Sequence, residues 1–150
     1  MPQSLSFLLV HIVFSTKNRS PLLREELRKK LFVYLATVAR DNRCECYRVG
    51  GVADHVHLAL RISRTTHVSE LVKQLKVNSS VWVKDNFSNS AKFAWQRGYG
   101  AFSVGPADRE ALVHYIDMQE QHHRKISFQD EFRAFLNKYE IEFDEQYVWD

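Results

Sequence analysis

Two histidines one residue apart, His55 and His57, are the first groups in this chain that could do chemistry. They stand in Val49-Gly50-Gly51-Val52-Ala53-Asp54-His55-Val56-His57-Leu58-Ala59-Leu60, a short loop feeding a strand. Val56, Leu58, Leu60 and Ile62 alternate there with His55, His57, Ala59 and Arg61. Side chains two apart on a strand share a face, so the imidazoles stand about 7 Å apart on one face while the other is built to bury. Such a pair can hold one divalent metal or flank one phosphate. It can equally be two partly exposed histidines on an edge strand. Later in the chain Tyr115, Gln119 and His122 fall at i, i+4 and i+7, in one row of a helix. A tyrosine can serve as a covalent nucleophile. Two imidazoles and an amide oxygen can hold a cation that polarises a phosphoryl oxygen. Spacing alone does not bring strand and helix together.

The elements that must position these groups follow from periodicity. Ser4 to Ser15 is apolar on both alternating sets, which predicts a central strand covered on both faces. His11 is its polar interruption, either a hydrogen-bonded core histidine or part of a site. From Pro21 to about Asp41, Leu27, Leu31, Tyr34, Leu35 and Val38 form a helical stripe. Arg43 to Val49 predicts a second strand, which forms a hairpin with the histidine strand. Val68, Leu71, Val72 and Leu75 mark a second helix carrying Lys73, Lys76 and Lys84. Lys92 to Val104 alternates aromatic residues and glycines around Arg97; these can stack bases or fill a core. A third helix is expected from Pro106 to about His122. A fourth, carrying Phe128, Phe132, Phe135, Leu136 and Tyr139, follows the capping sequence Ser127 to Asp130, and Glu140 to Asp150 forms an irregular cover. The order is a split βαβ arrangement. It predicts an α+β fold of the ferredoxin-like (RRM-like) type: an antiparallel sheet with helices on one face, plus a C-terminal helix bearing Tyr115 and a tail.

Composition narrows the class. A chain of 150 residues fits one domain, spanning 1–150. A net charge of +3 permits a nucleic-acid partner without arguing for one. Cys44 and Cys46 share a face of a strand and provide no disulfide framework, which fits a reducing cytoplasm. The apolar run Phe7 to Phe14 lacks the features of a signal peptide, and nothing approaches the roughly 20 apolar residues of a membrane span.

Three segments together carry a family resemblance. They are Asp54-His55-Val56-His57-Leu58, Trp95-Gln96-Arg97-Gly98-Tyr99-Gly100-Ala101-Phe102-Ser103-Val104, and Tyr115-Ile116-Asp117-Met118-Gln119-Glu120-Gln121-His122-His123. The chain resembles the single-tyrosine HUH transposases of small bacterial insertion sequences and their relatives associated with repetitive extragenic palindromes. His11 to Arg19 also resembles the family's opening strand and loop.

The resemblance implies a DNA transposase that cleaves and rejoins single-stranded DNA at insertion-sequence ends through a 5′-phosphotyrosine, and that recognises DNA hairpins. Tyr115 matches the nucleophile. His55, His57 and Gln119 match the ligands of a divalent metal, Mg2+ or Mn2+. Two imidazoles are unusual for Mg2+, which favours Mn2+ in vitro. Asp54 would orient His55 or shape the turn. His122 and His123 match a pair beside the tyrosine helix, supporting the ligands or packing. Lys17, Arg19, Lys73, Lys76 and Arg97 are the candidate DNA contacts. Relatives form dimers, so a homodimer is expected, with cis or trans assembly of the site left open, in a bacterial or archaeal cytoplasm. Met118 and Asn78 depart from the family's more polar and more basic pattern. Two other readings use the same residues. One is a domesticated, non-catalytic module that binds hairpins. The other is a hydrolase using His55 and His57 with water.

Overall fold

A computed structural model describes residues 2–150. Strand β1 (Leu8–Ser15) leads through a 3-10 turn at Lys17–Arg19 to helix α1 (Glu25–Asp41). Strands β2 (Glu45–Gly51) and β3 (His55–Ile62) form the expected hairpin, and α2 (Val68–Asn86) and β4 (Gly100–Val104) follow. The sheet is four-stranded, in the order β2-β3-β1-β4, with every pairing antiparallel. This is the ferredoxin-like topology that the element order predicts.

The alternation of β1 and β3 sorts their side chains onto two faces. Val10, Ile12 and Phe14 of β1 join Val56, Leu58, Leu60 and Ile62 of β3 in the main core. The stripes Leu27, Leu31 and Leu35 of α1 and Leu71, Val72 and Leu75 of α2 cover them. The opposite face carries His11, His55 and His57. Helices α3 (Arg109–Asp117), α4 (Gln119–His122) and α5 (Phe128–Lys138) lie beyond β4 in the chain. Their apolar residues cover that second face: Leu112 and Ile116 pack with Leu9 and Ala59, and Phe128, Phe132 and Leu136 with Val13 and Phe102. Phe143, Val148 and Trp149 of the tail close over the second of these clusters.

Three local expectations change. The helix expected from Pro106 to His122 is a 3-10 turn at Pro106–Asp108 and then two helices parted at Met118, whose φ −95° and ψ 15° leave the helical region. The Tyr115 carbonyl receives Gln119 Nε2 at 3.3 Å across that break. β4 begins only at Gly100; residues 92 to 99 are loop, in which Phe93 and Trp95 fill the core and Tyr99 stays exposed. α1 begins at Glu25, after an extended approach that the Pro21 position did not reveal. Among the described residues no helix is long and apolar enough to cross a membrane.

Candidate active site

β3 is an inner strand, flanked by β2 and β1, so His55 and His57 are not on an edge. Both are 0% exposed. Their rings stand 5.1 Å apart, closer than the strand rise suggests, because the side chains lean together. Helix α3 brings Tyr115 to them. Its approach depends on Gly50 of β2: a Cβ there would meet Ile116 Cγ2 at 2.6 Å. The Tyr115 ring lies 5.8 Å from that of His57. Gln119, also buried, sets Oε1 3.4 Å from His55 Nε2. The structure therefore gathers His55, His57, Tyr115 and Gln119 from distant parts of one chain.

Each imidazole is held by its other nitrogen. His55 Nδ1 lies 2.6 Å from Asp54 Oδ1, so Asp54 orients His55. His57 Nδ1 pairs with His11 Nε2 at 2.7 Å, which puts His11 in the site rather than in the core alone. His123 Nδ1 donates to the Ile126 carbonyl at 2.7 Å and turns Nε2 to within 3.0 Å of His55 Nε2. His122 Nε2 reaches the Tyr115 hydroxyl at 3.4 Å. Ligating histidines are commonly held in this way, by a partner on the nitrogen away from the metal.

One central residue carries no signal in the three motif segments. Glu131 of α5 is 2% exposed. Its Oε1 lies 3.1 Å from His57 Nε2, 3.2 Å from His123 Nε2 and 3.4 Å from His55 Nε2. Its Oε2 accepts the Tyr115 hydroxyl and lies 3.3 Å from both His122 Nε2 and Gln119 Nε2. A sequence signal did exist: Glu131 is a single carboxylate on the apolar stripe of Phe128, Phe132 and Phe135, where a charge is costly unless partnered.

The electrostatics follow from this crowding. Burial works against the charged Glu131, yet His123, His55 and His57 hold its carboxyl well below the usual range. Burial lowers His57 to about 4, opposed by Glu131. Burial also acts on His55, but Asp54 and Glu131 outweigh it and raise that imidazole above its ordinary value. Burial, then His57, take His11 well below its own. Burial and the Glu131 charge push the Tyr115 phenol well up.

Among the described residues the buried His57 Nε2 and Glu131 Oε1, 3.1 Å apart, make no well-directed hydrogen bond to each other or to any other group. Unpaired buried polar atoms are rare in folded proteins. A divalent cation would satisfy both, and one ligand atom from each of His55, His57, His123 and Glu131 lies within 4.8 Å of the others. The donor set fits a metal.

The candidate DNA contacts divide. Lys17, Lys73 and Arg97 are exposed, and Arg19 stacks over Trp149 at 5.7 Å. Lys73, Arg97 and Tyr99 line a groove of about 560 Å³ between α2 and the loop before β4. Lys76 does not present a free charge: its Nζ donates to the carbonyls of Gln96, Arg97 and Gly98 at 2.7, 3.2 and 2.5 Å. Its burial lowers it to about 8.

Comparison with known proteins adds to this geometry. The fold is similar to that of a "putative transposase" from Deinococcus radiodurans R1, with a TM-score of 0.63 and 24% identity over 79% of this chain and 98% of that one. It is also similar to a REP-associated tyrosine transposase bound to a REP hairpin, with a TM-score of 0.59 and 16% identity over 82% of this chain and 74% of that one. Among curated protein sequences nothing matches. The profile of the family described as "Transposase IS200 like" matches residues 4–119, which span β1, the His55/His57 strand, Tyr115 and Gln119. The chain belongs to the IS200-like transposase family.

Proposed function

We propose that this transposase is an HUH single-strand endonuclease and strand transferase. It cleaves and rejoins single-stranded DNA at insertion-sequence ends through a 5′-phosphotyrosine. The observation that carries the reading is the meeting of Tyr115 with His57 and of Gln119 with His55 inside one chain. His55, His57 and Gln119 would hold a divalent cation, Mg2+ or Mn2+. When bound, such an ion polarises a phosphate oxygen.

The protein residues supply the rest. Tyr115 Oη attacks the scissile phosphorus, forming an O–P bond as the bond to the 3′ oxygen breaks. The phenolic proton ends on that oxygen, leaving a free 3′-hydroxyl and a phosphotyrosine. One phosphodiester replaces another, so a 3′-hydroxyl from a second strand can reverse the step and join DNA without an external energy source. Asp54, His11 and His122 position the histidines and the hydroxyl. In this reading the site assembles in cis, since Tyr115 already faces the histidines of its own chain. A homodimer would then bring together two complete sites. Light scattering in solution tests the dimer.

A DNA hairpin as recognition element is supported by the likeness to the hairpin-bound transposase. Lys17, Arg19, Lys73 and Arg97 would contact its backbone, with Lys76 holding the loop that carries Arg97. The work of such an enzyme lies where the DNA is, in a bacterial or archaeal cytoplasm. The test uses labelled single-stranded DNA carrying a REP-type hairpin, mixed with protein and Mn2+ and run on a denaturing gel. A labelled protein band, lost with chelator and absent with duplex DNA, supports the reading. Tight hairpin binding with no cleavage would favour a binding module instead.

A further inference from the structure

The structure assigns Glu131 as a carboxylate ligand of the metal centre that also holds the Tyr115 hydroxyl against it. The assignment rests on the reading above and goes beyond its set of His55, His57 and Gln119. It also lies outside the family match, which ends at residue 119.

The placement of Glu131 is the first argument. α5 is strongly amphipathic, and Phe128, Phe132 and Leu136 on its buried face pack over the sheet. Glu131 shares that face and projects into a cluster of imidazoles. Leaving water is costly for a carboxylate unless it is paired or bound to a metal. The second argument is the set of atoms left without partners. Oε1 faces three Nε2 atoms at 3.1 to 3.4 Å, yet among the described residues neither it nor His57 Nε2 makes a well-directed hydrogen bond. An ion among them satisfies both. The third is the support: Asp54, His11 and the Ile126 carbonyl engage the Nδ1 atoms of His55, His57 and His123, so all three Nε2 atoms turn to Oε1. His123 therefore accompanies Glu131 as a further nitrogen donor.

The two carboxylate oxygens divide the work. Oε1 belongs to the metal cluster. Oε2 accepts the Tyr115 hydroxyl and Gln119 Nε2. One side chain thus ties the nucleophile to the ligands and fixes their separation.

The test is Mn2+ binding by the full-length protein, read by calorimetry and by the electron paramagnetic resonance of the free ion. Wild type is compared with Glu131→Gln and, as a control for a lost ligand, His57→Ala. Glu131→Gln is expected to weaken Mn2+ binding by at least about tenfold, no less than the loss of an outer-shell partner. Equal or tighter binding by Glu131→Gln, with wild type binding well, would overturn the assignment: Glu131 would be a plug in the site, while the metal centre itself stood. No binding by wild type would instead remove the metal reading and this assignment together. Should Glu131→Gln fail to fold, the infrared carboxylate bands of wild type decide. A shift of one buried carboxylate on Mn2+ addition supports ligation, and unchanged bands overturn it.

Discussion

Tyr115 donates its hydroxyl hydrogen to Glu131 across the space between α3 and α5. This bond joins the residue proposed as nucleophile to one that lies outside the three motif segments. It also places the hydroxyl beside the imidazole cluster that Oε1 of the same carboxylate faces.

A nitrogen-rich donor set of this kind would favour Mn2+ over Mg2+. Mg2+ favours oxygen ligands and keeps its waters, whereas Mn2+ accepts imidazole more readily and stands at the weak-binding end of its own series. Mn2+ is expected to support DNA cleavage at a lower concentration than Mg2+, by roughly tenfold or more. Titration of each metal into the cleavage reaction checks this.

The seat of α3 on the sheet depends on Gly50. Gly50→Ala would place Cβ 2.6 Å from Ile116 Cγ2 and 3.0 Å from the Ile116 carbonyl oxygen. Relief requires α3 to move, and overpacking of this kind costs about 1–3 kcal/mol. Urea denaturation should show that loss. Cleavage by the folded fraction should fall as well, because Tyr115 moves with the helix.

Acid should destabilise the metal-free protein. The His57 imidazole titrates near 4 when folded, below its ordinary 6.5, because of burial. The unfolded chain therefore binds this proton more readily, and stability present above about 6.5 is lost as pH falls toward 4. The depressed Glu131 carboxyl acts in the same direction at lower pH. Urea midpoints at pH 7, 5.5 and 4.5 should fall in that order. The raised His55 imidazole works the other way and the lowered His11 the same way, so a flat or rising profile would contradict a net depression of the buried imidazoles.

Lys76 and Lys73 should separate in their effects. Lys76→Met removes the donor to three carbonyls of the loop at Gln96–Gly98, so stability should drop by about 1–3 kcal/mol. Lys73→Ala, on an exposed position, should leave stability unchanged and weaken DNA binding with a shallower salt dependence. Thermal melts and fluorescence anisotropy at several salt concentrations distinguish the two.

The sheet was legible in the sequence because its signals are local. The two-residue period of β3 and the stripes of α1 and α2 each name their own element, and Gly50-Gly51 mark the end of β2. The His55/His57 face was legible for the same reason. The burial of that face was not, because it depends on α3 and α5 folding back from beyond β4, a long-range event with no periodic signature. His11 was ambiguous until β1 was seen to pair with β3 and bring it to His57. Glu131 lay outside the three motif segments: its signal was a lone carboxylate on the apolar stripe of α5, and periodicity does not say which groups partner it. The break at Met118 also escaped, since no glycine or proline marks it.

The most direct measurement is the identity of the residue that carries DNA after cleavage. Protein incubated with a single-stranded hairpin substrate and Mn2+ would be digested and mapped by mass spectrometry. A nucleotide-phosphate adduct on the peptide containing Tyr115, absent from Tyr115→Phe while hairpin binding stays within about twofold, is the predicted result. Cleaved DNA with no protein adduct, or cleavage that persists in Tyr115→Phe, would contradict a tyrosine strand transferase and point to water activated at His55 and His57.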